Sequence, residues 1–148
     1  MVLTGHDLIL VITRTTVQIR EQTRRVLASY GLQRPQNLVL DALVEHDGLT
    51  PGEIAKQLEV SGPTAVKMAQ RMEANGLVTR RRDDPDGRLV RIYLTERGRE
   101  VQAPIKKEID EIAEDAVRGL DRAQRQALKS SLDAIRERLA SADGASGP

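Results

Sequence analysis

The chain has 148 residues, and its 23 Lys and Arg are balanced by 22 Asp and Glu, for a formal net charge of +1. It contains no cysteine and only 1% aromatic residues, which excludes disulfides, zinc fingers and thiol redox switches and argues against RNA or single-strand binders that stack bases on aromatic side chains. No apolar run approaches the ~20 residues that span a bilayer, and the N-terminal segment lacks the basic region and cleavage site of a signal peptide, so we expect a cytoplasmic protein with no membrane partner.

Two helices are predicted in the first third of the chain. The first runs from about Leu8 to Tyr30, because apolar residues recur there at three- and four-residue intervals, and Gly31 is expected to end it. The second begins near Pro35, a residue favoured in a first helical turn, and ends around residues 47–48. Its predicted apolar stripe consists of Leu38, Ala42 and Leu43.

A short helix and a tight turn follow. The segment Thr50–Glu53 has the pattern of a capping box with a proline in the first turn, so a helix is expected from there to about Leu58. Residues 59–60 make the turn, and Ser61 is placed to cap the next helix. The buried face of the short helix is predicted to consist of Ile54, Ala55 and Leu58.

The helix after this turn has two chemically different faces at 100° per residue. One side carries Ala65, Ala69, Met72 and Gly76, with Met68 at its border. The opposite side carries Thr64, Lys67 and Arg71, with Pro63 at its N-terminal end. A short helix, a turn and a second helix with a polar outer face form the helix-turn-helix arrangement.

A two-stranded hairpin, or wing, is predicted next. Residues 77–82 and 88–94 alternate between apolar and polar side chains, and the sequence DDPDG between them is typical of a turn. The hairpin is rich in arginine, with Arg80, Arg81, Arg82, Arg88 and Arg91. A basic hairpin beside a polar helix face indicates a surface made for a polyanion.

Two further helices are predicted at the C-terminal end. The first opens at residues 95–96, and Asp121 and Gln124 have the pattern of a capping box at the start of the second. The last helix has a coiled-coil-like seam about two heptads long, made of Leu128, Leu132, Ile135 and Leu139. Residues 141–148 are expected to form a flexible tail.

The polar face of the second helix of the motif suits the major groove of DNA, where residues near a helix N-terminus meet base edges. Thr64 and Lys67 are the best-placed candidates, and Arg71 is expected to reach bases or phosphate. Ser61 and the free N–H groups of the helix N-terminus can bind a phosphate. The alternative is that these charged residues are simply a solvated helix face.

The tip of the wing carries Asp86, Gly87 and Arg88. An arginine on a narrow hairpin can enter an A·T-rich minor groove, where the negative potential is enhanced. A nearby carboxylate can hold the guanidinium in a fixed direction. The alternative is a turn-stabilising ion pair, which contributes little at a surface.

The string from Leu77 to Thr95, with D-x-R at Asp86 to Arg88 and I-x-L-T at Ile92 to Thr95, resembles the MarR family of transcriptional regulators. The segment Gly31–Leu43 (GLQRPQNLVLDAL) is similar to one that those proteins carry before their DNA-binding lobe. Two departures from the family pattern are Gly87, where an Arg or Lys is frequent, and Arg82, which replaces a frequent Pro.

This resemblance implies a mostly α fold with a small β wing, in a homodimer that binds a pseudo-palindromic DNA operator as a repressor, which a small aromatic or phenolic molecule releases. The implied recognition-helix residues are Ser61, Pro63, Thr64, Lys67 and Arg71. The implied wing residues are Arg82, Asp86, Gly87 and Arg88. Within a single domain, 1–148, the DNA-binding lobe is expected over 33–99 and the dimerisation helices over 5–31 and 100–140.

The regulatory site is less well defined by the sequence. In the family, an aromatic acid often lies between the dimerisation helices and the DNA-binding lobe, so Arg14 or Arg20 is a candidate carboxylate partner and Tyr30 or His6 a candidate pocket wall, against the alternative that each is a solvated or structural residue. His6 and His46 lack the spacing of a metal site, and we expect no metal and no cofactor.

Two other functions compete with the DNA-binding regulator. A winged-helix module that binds another protein, without specific DNA binding, is compatible with the low net charge. An enzyme is the weakest reading, because the chain has no cysteine nucleophile, no G-x-S-x-G and no phosphate-binding glycine loop.

Overall fold

The computed structural model describes residues 2–82, 85 and 87–144. In these residues the chain forms six helices and one two-stranded sheet, which confirms the mostly α fold with a small β wing. The elements are α1 (Gly5–Ser29), α2 (Gln36–Glu45), α3 (Pro51–Leu58), α4 (Gly62–Ala74), β1 (Val78–Arg82), β2 (Val90–Leu94), α5 (Glu96–Ala116) and α6 (Arg122–Gly144). The chain separates into two compact units, with the boundary after Asp110. None of the helices in the described part combines the length and apolar character needed to cross a membrane.

Helix α1 begins three residues earlier than the apolar spacing predicts. Thr4 accepts the backbone N–H of Asp7 at 3.2 Å, and the Asp7 carboxylate accepts the backbone N–H of Thr4 at 2.9 Å, which closes a capping box. The helix ends before Gly31, whose φ of +72° suits glycine. Only its C-terminal part is buried, through Thr23, Val26 and Leu27.

The core lies between α2, α3, α4 and the hairpin. Its largest fully buried side chains are Leu27, Leu40, Leu43, Ile54, Met72, Ile92, Val39 and Val78. The predicted stripe of α2 is wrong at Leu38, which is only half-buried, while Val39 and Leu40 are buried. Helix α2 is in contact with both α3 and β2, so it buries a wider arc than a single stripe.

The helix-turn-helix boundaries follow the predicted caps. Thr50 and Glu53 form the capping box of α3, and Ser61 accepts the backbone N–H of Thr64 at 3.2 Å to cap α4. Ala65, Ala69 and Met72 are buried as predicted. Two details differ: Met68, placed at the border, is buried, and Gly76, placed on the buried side, is exposed.

The hairpin pairs β1 and β2 in antiparallel register, from Val78 opposite Leu94 to Arg82 opposite Val90. Leu49 adds an isolated antiparallel bridge to Ile92, so the chain before α3 extends the sheet. Next to Leu49, Gly48 has a φ of +78° and lies so close to the hairpin that a Cβ there would meet the Tyr93 ring at 2.8 Å. Glycine at 48 is therefore needed for this close approach.

Helix α5 starts against the base of the hairpin. The Thr95 hydroxyl donates to the Gly76 carbonyl at 2.6 Å and accepts the Gly98 N–H at 3.0 Å, while the Thr95 N–H donates to the Leu77 carbonyl at 3.1 Å. A Cβ at Gly98 would lie 2.2 Å from the Leu77 carbonyl oxygen. The helix can cross here only because residue 98 has no side chain.

The turn from α5 to α6 lies in the second unit. Asp121 and Gln124 form the predicted reciprocal cap, with both bonds at 2.9 Å. Arg125 fixes the turn by donating to the Val117 and Leu120 carbonyls, each at 3.2 Å. Helix α6 continues to Gly144, so the predicted tail is helical over 141–144, and its residues 145–148 lie outside the described part.

Candidate nucleic-acid interface

The outward face of α4 is opposite the side formed by its buried residues, Ala65, Met68, Ala69 and Met72. At about 100° per residue, Lys67 and Gln70 each lie about 30° from the centre of this outward face. Lys67 and Gln70 are exposed, as is Pro63 at the N-terminal end of the same face. The face therefore presents a cation and an amide to whatever binds there.

Thr64 and Arg71 lie on one flank of this outward face, and Val66 lies on the other flank. The Thr64 hydroxyl is 2.7 Å from the hydroxyl of Ser61, the N-cap residue of α4, which also accepts the Thr64 backbone N–H. Arg71 is nine residues after the first helical residue, or roughly 14 Å along the axis. It lines a small polar pocket of about 240 Å³ together with Gln33, Gln36 and Asn75. Thus the structure brings the predicted recognition residues onto one exposed surface, with Arg71 at its far end.

Glu73, near the C-terminal end of α4, binds the first part of the wing. Its carboxylate accepts the Arg80 backbone N–H at 2.9 Å, Arg80 Nε at 3.0 Å and Arg80 Nη2 at 2.8 Å. Hydrogen bonding from the Arg80 side chain and backbone lowers the pKa of Glu73 below its ordinary value of 4.5. Sequence reasoning missed this pair, although a Glu near the end of α4 and an Arg in the following strand were the available signal.

The hairpin arginines have separate roles. Arg80 is bound to Glu73, and Arg91 Nη1 donates to the Gly48 carbonyl at 2.9 Å at the base of the hairpin. The Arg81 guanidinium lies 5.0 Å from the centre of the Tyr93 ring, which is the geometry of a cation–π contact. Arg80 and Arg91 therefore stabilise the fold. The polyanion-binding surface that was predicted from all five arginines is reduced to Arg81, Arg82 and Arg88.

At the outer end of the hairpin, Arg82 Nη1 donates to the Gly87 carbonyl at 3.1 Å. Gly87 has a φ of +64°, which glycine adopts without strain. Arg88 follows and is exposed. The predicted pairing of Asp86 with Arg88 involves a residue outside the described part of the chain. The structure thus places Arg82, Gly87 and Arg88 together at the wing.

A cleft of about 790 Å³ lies where α1 meets the segment leading to α2. Its lining residues are Arg20, Arg24, Ala28, Gly31, Leu32, Gln33, Arg34 and Pro35. Arg24 is held by Glu21 through bonds of 2.8 and 2.9 Å, whereas Arg20 and Arg34 have no hydrogen bond or ion pair with other described residues. The cleft therefore combines two available guanidinium groups with apolar wall.

The three candidate ligand residues are not brought together. Arg20 lines the cleft, whereas Arg14 and Tyr30 are not part of its lining. The Tyr30 hydroxyl donates to the Glu108 carboxylate of α5, and this hydrogen bond raises the pKa of Tyr30 above its usual value of 10.0, with burial adding to the effect. Tyr30 therefore joins α1 to α5.

Asp47 connects three elements at the base of the hairpin. Its Oδ1 accepts the backbone N–H groups of Leu94 at 2.9 Å and Gly48 at 3.2 Å, and its Oδ2 accepts Arg99 Nη2 at 2.8 Å. Among the described residues, no group of three or more His, Cys, Asp or Glu could hold a metal ion.

The chain is similar to known transcriptional regulators. A family model described as MarR family matches residues 30–89. The HTH-type transcriptional regulator TtmR of Methylorubrum extorquens (strain PA1) is 36% identical over 116 residues, covering 78% of this chain and 58% of that protein. The organic hydroperoxide resistance transcriptional regulator of Bacillus subtilis (strain 168) is 38% identical over 81 residues, covering 55% of each. The chain thus spans little more than half the length of these two relatives.

The fold is also similar to that of a protein solved with DNA. The crystal structure of the S. aureus MepR–DNA complex has a TM-score of 0.78 at 25% identity, covering 92% of this chain and 96% of that chain.

Proposed function

We propose that this chain, which belongs to the MarR family of transcriptional regulators, is a cytoplasmic, sequence-specific regulator that binds double-stranded DNA as a homodimer. The observation that carries the proposal is the exposed outward face of α4 beside a basic wing, with Glu73 and Arg80 joining the two. The relatives are named as transcriptional regulators, and we assign the chain no catalytic activity and no cofactor.

The proposed mode of binding uses both parts of this surface. Helix α4 enters the major groove with Lys67 toward the bases, and Ser61 and Thr64 lie at the N-terminal end, near the phosphates. Arg82 and Arg88 bring the wing to the flanking minor groove, where cations are attracted to the enhanced negative potential. In a dimer, the two α4 helices would occupy successive major grooves about 10 bp apart on a pseudo-palindromic operator.

The apolar surface of α1 supports a homodimer. Residues 8–12 are Leu, Ile, Leu, Val and Ile in succession, and five consecutive residues spread around the whole circumference of a helix. Val11 is 62% exposed, and Leu8, Ile9 and Leu10 are also exposed. A stretch of helix that is apolar on all sides favours burial against another surface. Helix α6 likewise exposes Leu128 and Leu139 of its seam, so we assign both helices to the dimer interface.

The cleft beside Arg20 supports regulation by a small organic acid. A carboxylate can pair with the guanidinium groups of Arg20 and Arg34, and an aromatic or phenolic ring can lie on the apolar wall formed by Leu32 and Pro35. Gly31 and Gln33 line both this cleft and the small pocket beside Arg71 of α4. We propose that the protein is a repressor, and that the ligand releases it from the operator by shifting this segment and lowering operator affinity.

Selection from a random double-stranded DNA library tests this proposal. The expected result is a pseudo-palindromic site occupied by two protomers, as measured by sedimentation, with weaker binding by folded Arg88→Glu. Failure to enrich any site would contradict sequence-specific binding and favour the alternative of a winged-helix module for a protein partner. If Arg88→Glu bound the selected site with unchanged affinity, the proposed role of the wing would be contradicted, but the rest of the proposal would not.

A further inference from the structure

Two exposed side chains on the outward surface of α4 have no role in the mechanism above. Val66 is 38% exposed, the only large apolar side chain of α4 among the exposed large hydrophobics of the described chain. Gln70 is exposed and makes no hydrogen bond to other described residues. Both are uncharged, so neither is suited to neutralise a phosphate.

Their spacing places them in one row. Val66, Gln70 and Glu73 follow one another at intervals of four and three residues, so they lie along the same edge of the helix. Glu73 binds Arg80 of β1, which identifies this edge as the one that faces the wing. The first two residues are about 6 Å apart along the helix axis at a rise of about 1.5 Å per residue. That distance is close to two base-pair steps of about 3.4 Å each.

The chemistry of the pair matches an A·T-rich stretch of major groove. A glutamine amide can donate to adenine N7 and accept from adenine N6, and an aliphatic side chain can contact the C5-methyl group of thymine. Lys67, on the other side of the outward face, is suited to guanine or phosphate instead. Val66 and Gln70 are therefore suited to recognise A·T pairs, whereas Lys67 is suited to a guanine or a phosphate.

We propose that Val66 and Gln70 determine which operator sequence the protein binds. In each half-site, Val66 contacts the methyl group of a thymine, and Gln70 contacts an adenine within two base pairs of that thymine. This inference rests on the proposed function, because it requires α4 to enter the major groove. Since both contacts are uncharged, they add discrimination between sequences without steepening the dependence of affinity on salt.

The experiment uses the selected operator with single modified bases, measured by anisotropy with the full chain. Replacing one thymine by uracil removes only a methyl group, and replacing one adenine by 7-deazaadenine exchanges N7 for C–H and so removes that hydrogen-bond acceptor. For the wild type, uracil at one thymine of a half-site should lower operator affinity about fourfold. Deazaadenine at one adenine should lower operator affinity roughly fivefold or more. Val66→Ala should become insensitive to uracil at that thymine, and Gln70→Ala to deazaadenine at that adenine.

Matched controls come from the same lobe. Val44 on α2 is 46% exposed, comparable to Val66, and Gln57 on α3 is exposed. Val44→Ala and Gln57→Ala should keep the wild-type sensitivity to every modified base, whatever their overall affinity. A repeated selection with Gln70→Lys should return guanine where the wild type returns adenine, because lysine pairs with guanine O6 and N7.

The outcomes separate this inference from the proposed function. If no site is selected at all, both the proposed function and this inference are wrong. If a site is selected, but Val66→Ala and Gln70→Ala retain the wild-type sensitivity to every modified base, the base assignments are overturned while the regulator remains. An unchanged base preference for Gln70→Lys would overturn the assignment of Gln70 by itself.

Discussion

Glu73 of α4 accepts three hydrogen bonds from Arg80 of β1, one from the backbone N–H and two from the guanidinium. A single carboxylate thus joins the C-terminal end of the helix to the first part of the wing. The angle between these two elements decides whether both can reach adjacent grooves of one duplex. We infer that this pair positions the wing and does not itself contact DNA.

The first prediction concerns this pair. Glu73→Ala should lower the free energy of unfolding by about 1 kcal/mol, a modest effect because both side chains are about one-third exposed. It should also weaken operator binding, since the wing is no longer held against α4. Denaturant unfolding and anisotropy titration measure the two effects.

The control for this prediction is Asp133→Ala, which removes an exposed ion pair with Lys129 in α6. That variant should change the free energy of unfolding less than Glu73→Ala does, because an exposed ion pair contributes little, and it should leave operator affinity unaltered. Wild-type operator affinity in Glu73→Ala would show that the pair is not needed to position the wing.

The second prediction is a pH dependence of stability. The pKa of Glu73 is lowered in the folded state, so its stabilising contribution is present above the ordinary carboxyl range and is lost as the pH falls through the lowered value. The difference in free energy of unfolding between wild type and Glu73→Gln should therefore shrink as the pH decreases from about 6 to about 3. The two proteins must be compared at each pH, because Asp7, Glu21 and Asp133 also have lowered pKa values and make the stability of both proteins depend on pH. A constant difference over this range would contradict the assignment.

The third prediction concerns the crossing of α5 over the hairpin base. Gly98→Ala places a Cβ against the Leu77 carbonyl oxygen, and relieving the overlap should cost about 1–3 kcal/mol of stability. The measurement is the midpoint of denaturant unfolding. Gly119→Ala is the matched control, because a Cβ there meets nothing within 4 Å. Equal midpoints for the two variants would mean that the crossing is not as tight as described.

The fourth prediction concerns the effector cleft. Arg20→Gln and Arg34→Gln should each weaken binding of aromatic carboxylic acids by roughly 10- to 100-fold, through the loss of a charge-assisted hydrogen bond. Calorimetric titration with a panel of such acids and the corresponding neutral phenols measures the effect. Arg14→Gln is the control, since Arg14 is not part of the cleft lining. A loss in Arg14→Gln equal to that in Arg20→Gln would place the ligand elsewhere on α1.

Local sequence patterns predicted the parts of the fold that depend on neighbouring residues. The caps at Thr50, Ser61 and Asp121 occur as expected, because each is completed within four residues. The prediction that Gly76 lies on the buried side of α4 was wrong for an equally local reason. Helix α4 ends at Ala74 and Gly76 has a φ of +72°, so the helical period no longer describes its direction.

Contacts between distant residues could not be predicted from periodicity. The bonds of Tyr30 to Glu108 and of Asp47 to Arg99 join residues 78 and 52 positions apart, and nothing in a local pattern specifies them. On α4, the polar side was predicted to carry Thr64, Lys67 and Arg71, and Gln70 was passed over. The observed burial is what places Gln70 near the centre of the outward face.

The central claim is sequence-specific binding of double-stranded DNA by a dimer, and anisotropy titration tests it most directly. The purified protein would be titrated on the selected operator and on a scrambled duplex at two salt concentrations. We predict that the operator binds at least 10³-fold more tightly than the scrambled duplex. Its affinity should also fall steeply between about 50 and 200 mM salt, as counterions are released from phosphate contacts. Equal binding to both duplexes, or binding that does not depend on salt, would contradict the account.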